Sequence, residues 1–189
     1  MATLADLLDS SEAKLAAIEA HLDALDAGAR IAECRALGRK QLTRLWELAA
    51  PSLALDDLVP AAAMEGEKVE FAGKNSLPVF THFEKHFTRH GGAIVGINVG
   101  ATAFATGPGY FTCDTTSERP GEVRFDYTRV PSSAPQGWPV PRSNASGLSY
   151  FVYRDMHDYN RRVSKDVVIG AATRLGTPID AYYVLARKA

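Results

Sequence analysis

Apolar residues at the start of the chain recur every three or four positions. Leu4, Leu8, Ser11, Leu15, Ile18, Leu22 and Leu25 step alternately by four and three, with Ser11 the one polar break. That period of about 3.5 predicts an amphipathic helix from about residue 4 to 27. Thr3 with Asp6 three residues on suits its start, and Gly28 suits its end. A second helix is predicted over about residues 30 to 50, with Ile31, Cys34, Leu37, Leu42, Leu45, Trp46 and Leu48 on one broad face and Pro51 as its stop. Residues 1–60 thus read as an antiparallel helical hairpin arm.

Beyond Pro60 the period changes to two. Val69-Glu70-Phe71 alternates briefly, and residues 93–99 set Ala93, Val95, Ile97 and Val99 on one face against Ile94, Gly96 and Asn98 on the other. Thr102 to Thr106, Tyr110 to Cys113 and Tyr150 to Tyr153 are further strand candidates. Val123, Phe125 and Tyr127 alternate with Arg124, Asp126 and Thr128, the pattern of a half-buried strand. Asp166 to Thr173, the turn Leu175-Gly176-Thr177-Pro178 and Tyr182 to Leu185 form the clearest hairpin. Short strands this numerous, with few helices between them, predict an antiparallel β-barrel or strongly curved β-sheet over residues 61–189. The fold class is therefore α+β. Two stretches break the rhythm: Pro78 to His90, where Phe80, Phe83 and Phe87 have helical spacing, and the Pro-rich loop Pro131 to Pro141 around Trp138. The first predicts a short helix, the second a lid over a barrel end.

Composition sharpens this division. Of 17 Phe, Tyr and Trp residues only Trp46 precedes residue 60. The net charge of −1 argues against a partner as strongly acidic as nucleic acid. Within it, residues 1–27 carry six acids and one Lys, and residues 28–50 carry five bases and two acids, so the two predicted helices have complementary surfaces. The start of the chain lacks a basic segment followed by an apolar run, and no apolar stretch is long enough to cross a bilayer. With two isolated cysteines, Cys34 and Cys113, the expectation is a cytoplasmic protein with reduced thiols and no membrane partner.

Candidate chemistry is sparse. Nucleotide signatures fail: Gly91-Gly92 precedes a strand where a dinucleotide fingerprint would follow one, and Asn75 stands where a phosphate loop needs Ser or Thr. His82, His86 and His90, at i, i+4 and i+8 of the predicted short helix, form a ridge able in principle to meet a metal, although a straight helix offers one ion only two such residues. No metal or organic cofactor is otherwise indicated. Asp155, His157 and Asp158 make the densest carboxylate–imidazole neighbourhood and are the candidates for acid–base catalysis, with Arg154 able to hold an anion. The aromatic side chains suggest a cavity, because Tyr offers a large apolar face with one orienting hydroxyl. Tyr110, Phe125, Tyr127, Trp138, Tyr153 and Arg154 are the candidate ligand-binding residues. The leading expectation is binding of a small apolar or aromatic molecule in a barrel-like cavity. The alternatives are a small enzyme using the Asp155/His157/Asp158 cluster or a metal on the His ridge, and an oligomer assembled through residues 4–50.

Overall fold

The Leu seam of residues 4–25 is helical and buried, but it is broken into short pieces. The computed structural model describes residues 2–78, 81–100, 107–145, 147 and 149–189, the Phe151 side chain excepted. Its front half contains α1 (Leu4–Asp9), α2 (Leu15–Ala24), α3 (Ala27–Ala36), α4 (Arg39–Leu48) and α5 (Leu55–Leu58). Thr3 and Asp6 form the expected reciprocal cap on α1. Extended backbone at Ser10 then ends that helix, and extended Leu25 and Asp26 separate α2 from α3. Asp26 caps α3 by accepting the Ala29 N–H at 2.8 Å, so Gly28 lies inside a helix and does not end one. A single hairpin of two long helices is thereby replaced by a wrap of shorter ones.

The back half is an antiparallel barrel closed by eight strands in chain order. They are β1 (Val69–Asn75), β2 (His82–His90), β3 (Ala93–Val99), β4 (Phe111–Thr115), β5 (Val123–Asp126), β6 (Met156–Ser164), β7 (Val167–Arg174) and β8 (Thr177–Arg187), with β8 pairing back onto β1. The last hairpin turns on Leu175 and Gly176, both at positive φ, the geometry that suits a two-residue connection between right-twisted strands.

Two expectations are corrected. Residues 82–90 are strand β2, not part of a helix, paired with β1 on one side and β3 on the other. A spacing of four, as between Phe83 and Phe87, satisfies both periodicities, and the two ladders decide between them. Tyr150 to Tyr153 belongs to a short helix, α6 (Ser149–Tyr153), because β5 pairs directly with β6 and a closed barrel leaves no edge for another strand. Thr102 to Thr106, with Phe104, lies outside the described residues, as does Phe80.

Two cores follow. On the outer wall, Val163, Val167, Ile169, Val184 and Ala186 meet Leu4, Leu8, Ile18, Leu22, Cys34, Leu37, Leu42 and Leu45 of the helices. The helical seam is thus covered by the barrel of its own chain. The complementary charges of the front half also meet the barrel, with Arg30 3.3 Å from Asp166 and Glu19 3.4 Å from Arg162. Inside the barrel, Phe71, Phe87, Phe111, Phe125 and Leu185 are fully buried, and Leu53, Leu58 and Val59 close that end. Among the described residues, no helix is long and apolar enough to cross a membrane.

Candidate functional site

Among the described residues, the other end of the barrel is open. A cavity of about 440 Å³ lies among Asn75, Leu77, Phe83, Val99, Tyr127, Met156, Ala172 and Tyr183, with Val152 and Tyr153 of α6 at its rim. That volume lies inside the usual range for small-ligand pockets, roughly 300–1,000 Å³. Room for the aromatic rings inside the barrel, in the cavity walls and in the layer beneath, comes from glycines that face inward. A Cβ at Gly73 would lie 2.7 Å from the Phe83 ring, one at Gly96 2.3 Å from the Phe111 ring, and one at Gly170 2.3 Å from the Tyr183 ring. Tyr153 stacks flat on Tyr127, with ring centroids 5.2 Å apart and planes 6° from parallel.

The cavity floor is polar and buried. Lys85, on the inward phase of β2 between Phe83 and Phe87, is 2% exposed, as is Asp158 on β6. The Lys85 ammonium donates to Asn98 Oδ1 at 2.7 Å and to the Tyr127 hydroxyl. Tyr127 in turn donates to Asp158 Oδ2 at 3.3 Å, so the phenol bridges amine and carboxyl. The direct Lys85–Asp158 separation is 3.8 Å, too long for a hydrogen bond. Asp158 Oδ1 is buried and has no hydrogen-bond partner among the described residues. Behind this layer the Tyr183 hydroxyl donates to Asn160 Oδ1 at 2.7 Å. The ammonium lies 4.7 Å from the centre of the Phe111 ring and 5.1 Å from that of Tyr183.

Burial governs the ionisation of the floor. Loss of solvent lowers the Lys85 pKa from 10.5 to about 8, against the opposing pull of Asp158. The same cause raises the Asp158 carboxyl above its ordinary value, with Lys85 and the Tyr183 and Tyr127 hydroxyls acting to lower it. Burial likewise raises the Tyr127 and Tyr183 phenols, chiefly by desolvation and then by the nearby Asp158 charge. Amine and carboxyl are thus both biased toward their neutral forms, the state suited to exchanging protons with a bound molecule.

Of the six residues expected to bind a ligand, Tyr127 and Tyr153 line this cavity and Phe125 packs in the apolar layer beneath it. Tyr110 faces away from Phe111, outside the barrel. Its hydroxyl donates to Pro139 O at 2.7 Å, and its ring rests 6.2 Å from Trp138. Asn144 ties the same loop down by donating to Tyr110 O and Tyr127 O at 2.7 and 2.8 Å. The Pro-rich loop is therefore pinned beside the barrel wall, and Val152 and Tyr153 of α6 line the cavity where that loop was expected to. Arg154 pairs with its neighbour Asp155 at 2.7 Å on a separate surface groove.

The Asp155/His157/Asp158 neighbourhood does not converge. Residues 156–164 form a strand, so Asp158 points inward while His157 points outward, 3.2 Å from Asp126. Asp155 sits at the α6–β6 joint with φ 55°. The His ridge is dispersed as well. On a strand, His82, His86 and His90 share the outer face at intervals of about 13 Å, too far apart for one ion. His86 does approach Glu70 and Glu84 closely enough to suggest metal ligands. Lys188 fills the role of the cation there, 2.7 Å from Glu84 and 3.2 Å from Glu70, and Lys68 also pairs with Glu70. Lys68 first, with Lys188, holds the Glu70 carboxyl at about 2.

Sequence reasoning missed Lys85, Asn98 and Asn160. A usable signal was present, since Phe83, Lys85 and Phe87 alternate with polar Glu84 and His86, placing a lysine in the apolar phase of a strand. The chain matches no family model, no curated protein and no solved structure. Its class is accordingly set by geometry: a closed eight-stranded barrel with one sealed apolar end and one open end floored by a buried amine and carboxyl.

Proposed function

We propose that the protein binds a small, mainly aromatic or apolar molecule that carries an oxygen function, seated in the barrel mouth with that oxygen on the Lys85–Asp158 floor. One observation carries this reading: at the base of an apolar cavity lie two buried polar side chains whose hydrogen-bonding capacity is incomplete. Among the described residues, the Lys85 ammonium has three protons and two hydrogen-bond acceptors, and Asp158 Oδ1 has no partner. A ligand oxygen between them would accept from Lys85 and, with a protonated Asp158, from the carboxyl as well. The aromatic walls would enclose its ring.

Calorimetric titration with benzyl alcohol and with toluene tests this. The two differ by the hydroxyl alone. The wild-type protein is expected to bind both saturably at one site, with the alcohol favoured about tenfold, the value of one hydrogen bond to a charged group. Lys85→Met is expected to erase the preference while toluene still binds. Equal affinities in the wild type, or no saturable binding of either compound, would contradict the proposal.

A further inference from the structure

The floor of this cavity holds a nucleophile as well as a hydrogen-bond donor. Of seven lysines in the chain, Lys85 alone is buried, and it lines the mouth cavity. Packing gives no reason for an amine here. Its carboxylate partner is 3.8 Å away, too loose to offset the cost of removing both groups from water. A methionine or leucine would fill the same space between Phe83 and Phe87.

We propose that Lys85 forms a covalent imine with an aldehyde or ketone bound in the mouth cavity, and that Tyr127 and Asp158 move the protons this requires. The inference rests on the binding reading above and adds to it a class of ligand, carbonyl compounds. The lone pair of the neutral Lys85 Nζ attacks the carbonyl carbon, forming a C–N bond as the C=O π electrons move onto oxygen. That oxygen takes a proton from the Asp158 carboxyl. The nitrogen returns one to the carboxylate through the Tyr127 hydroxyl, which touches Nζ and lies 3.3 Å from Asp158 Oδ2. The carboxyl then protonates the new hydroxyl, which leaves as water as the nitrogen lone pair forms C=N and the second N–H proton goes back to Asp158. The sum is carbonyl plus amine giving imine plus water. No oxidant or reductant takes part, and the water departs through the mouth.

Two features favour this chemistry over a merely charged floor. Desolvation keeps a usable fraction of the amine neutral near pH 8, where an exposed lysine is almost wholly protonated. The surrounding rings also exclude bulk water, which would otherwise hydrolyse the imine.

The test uses the full chain, benzaldehyde as probe and sodium cyanoborohydride, which reduces the imine to a stable amine and spares the free aldehyde. Intact mass should rise by one benzyl group, and peptide mapping should place that group on Lys85, modified at least about tenfold faster than any exposed lysine. Benzyl alcohol should slow the labelling by competition, and Lys85→Met should abolish the fast phase. If that variant does not fold, the peptide map of the unmodified sequence decides alone. Saturable binding of benzyl alcohol with Lys85 left unlabelled would overturn the imine and leave the binding reading standing. Absence of both binding and labelling would overturn both.

Discussion

The two ends of the barrel interior are built on one inward alternation and bury opposite chemistry. On four strands the change takes a single inward step toward the mouth: Phe87 gives way to Lys85, Gly96 to Asn98, Phe125 to Tyr127 and Leu185 to Tyr183. Below that level the rings pack against one another, with Phe111 stacked on Phe125 at 5.0 Å and Phe87 edge-on to Phe71 at 5.4 Å. Above it lies a layer of polar groups that burial makes unfavourable and that their mutual hydrogen bonds only partly satisfy. The sealed end holds the fold together; the polar layer has no equivalent structural reason. Buried polar groups left incomplete at the base of a cavity are where binding or chemistry is expected.

The contrast can be broken most forcefully from the sealed end. Phe87→Ala removes a fully buried ring and should cost about 3–5 kcal/mol of folding free energy in denaturant unfolding. Benzyl alcohol affinity should be unchanged under conditions where the variant remains folded. A stability loss well under 1 kcal/mol would show that the sealed end is not the principal interior core.

The opposite result is expected at the mouth. Replacing both members of the loose pair, in Lys85→Met/Asp158→Leu, should leave stability unchanged or raise it by about 1–3 kcal/mol, while the preference for alcohol over toluene disappears. A large destabilisation would assign the polar layer to the fold and undo the distinction between the two ends.

A smaller effect follows from pH. The folded Lys85 pKa, about 8, lies below its ordinary 10.5, so between those values the unfolded chain binds more protons than the folded one. The penalty of burying this amine is therefore fully present below pH 8 and relieved as pH rises toward 10.5. Buried Tyr127, Tyr183 and Cys113, all raised by desolvation, act in the reverse sense as pH passes their ordinary values, so the comparison must be with the double variant, which keeps them. The wild type should gain on that variant by on the order of 1–2 kcal/mol between pH 8 and 10. A difference flat with pH would contradict a desolvated Lys85.

Much of the architecture was legible in the chain. Alternation at 93–99 and 123–127, and the Leu175-Gly176 turn, lead to strands β3, β5 and the β7–β8 hairpin. The helical front was legible as helix, and its break at Leu25–Asp26 falls within a few residues of the end expected at Gly28. The breaks at Ser10 and at Leu37–Gly38 were not legible, because the 3.5 period continues across Ser10 and the apolar face of residues 31–48 continues across Leu37. The site was harder to read. Lys85 was concealed by reading residues 78–90 as a helix, since Phe83 and Phe87 four apart fit either period and only pairing with β1 and β3 resolves them. Asp158 was visible, but in company with Asp155 and His157, neighbours in sequence that a strand directs elsewhere. Lys85 meets Asn98 as its register partner on the adjacent strand, 13 residues away, whereas Tyr127 and Asp158 lie 42 and 73 residues away and share no local pattern with it.

A ligand seated in the polar-floored mouth and one seated in the sealed end are separated most directly by a nuclear magnetic resonance titration with benzyl alcohol, following side-chain signals throughout the barrel. Saturable shifts are expected at Lys85, Asn98, Tyr127, Asp158 and Tyr183, with one shared dissociation constant, while Phe71 and Val69 at the sealed end stay still. Shifts centred instead on the groove beside Arg154 and Arg142, or none that saturate, would contradict seating in the mouth.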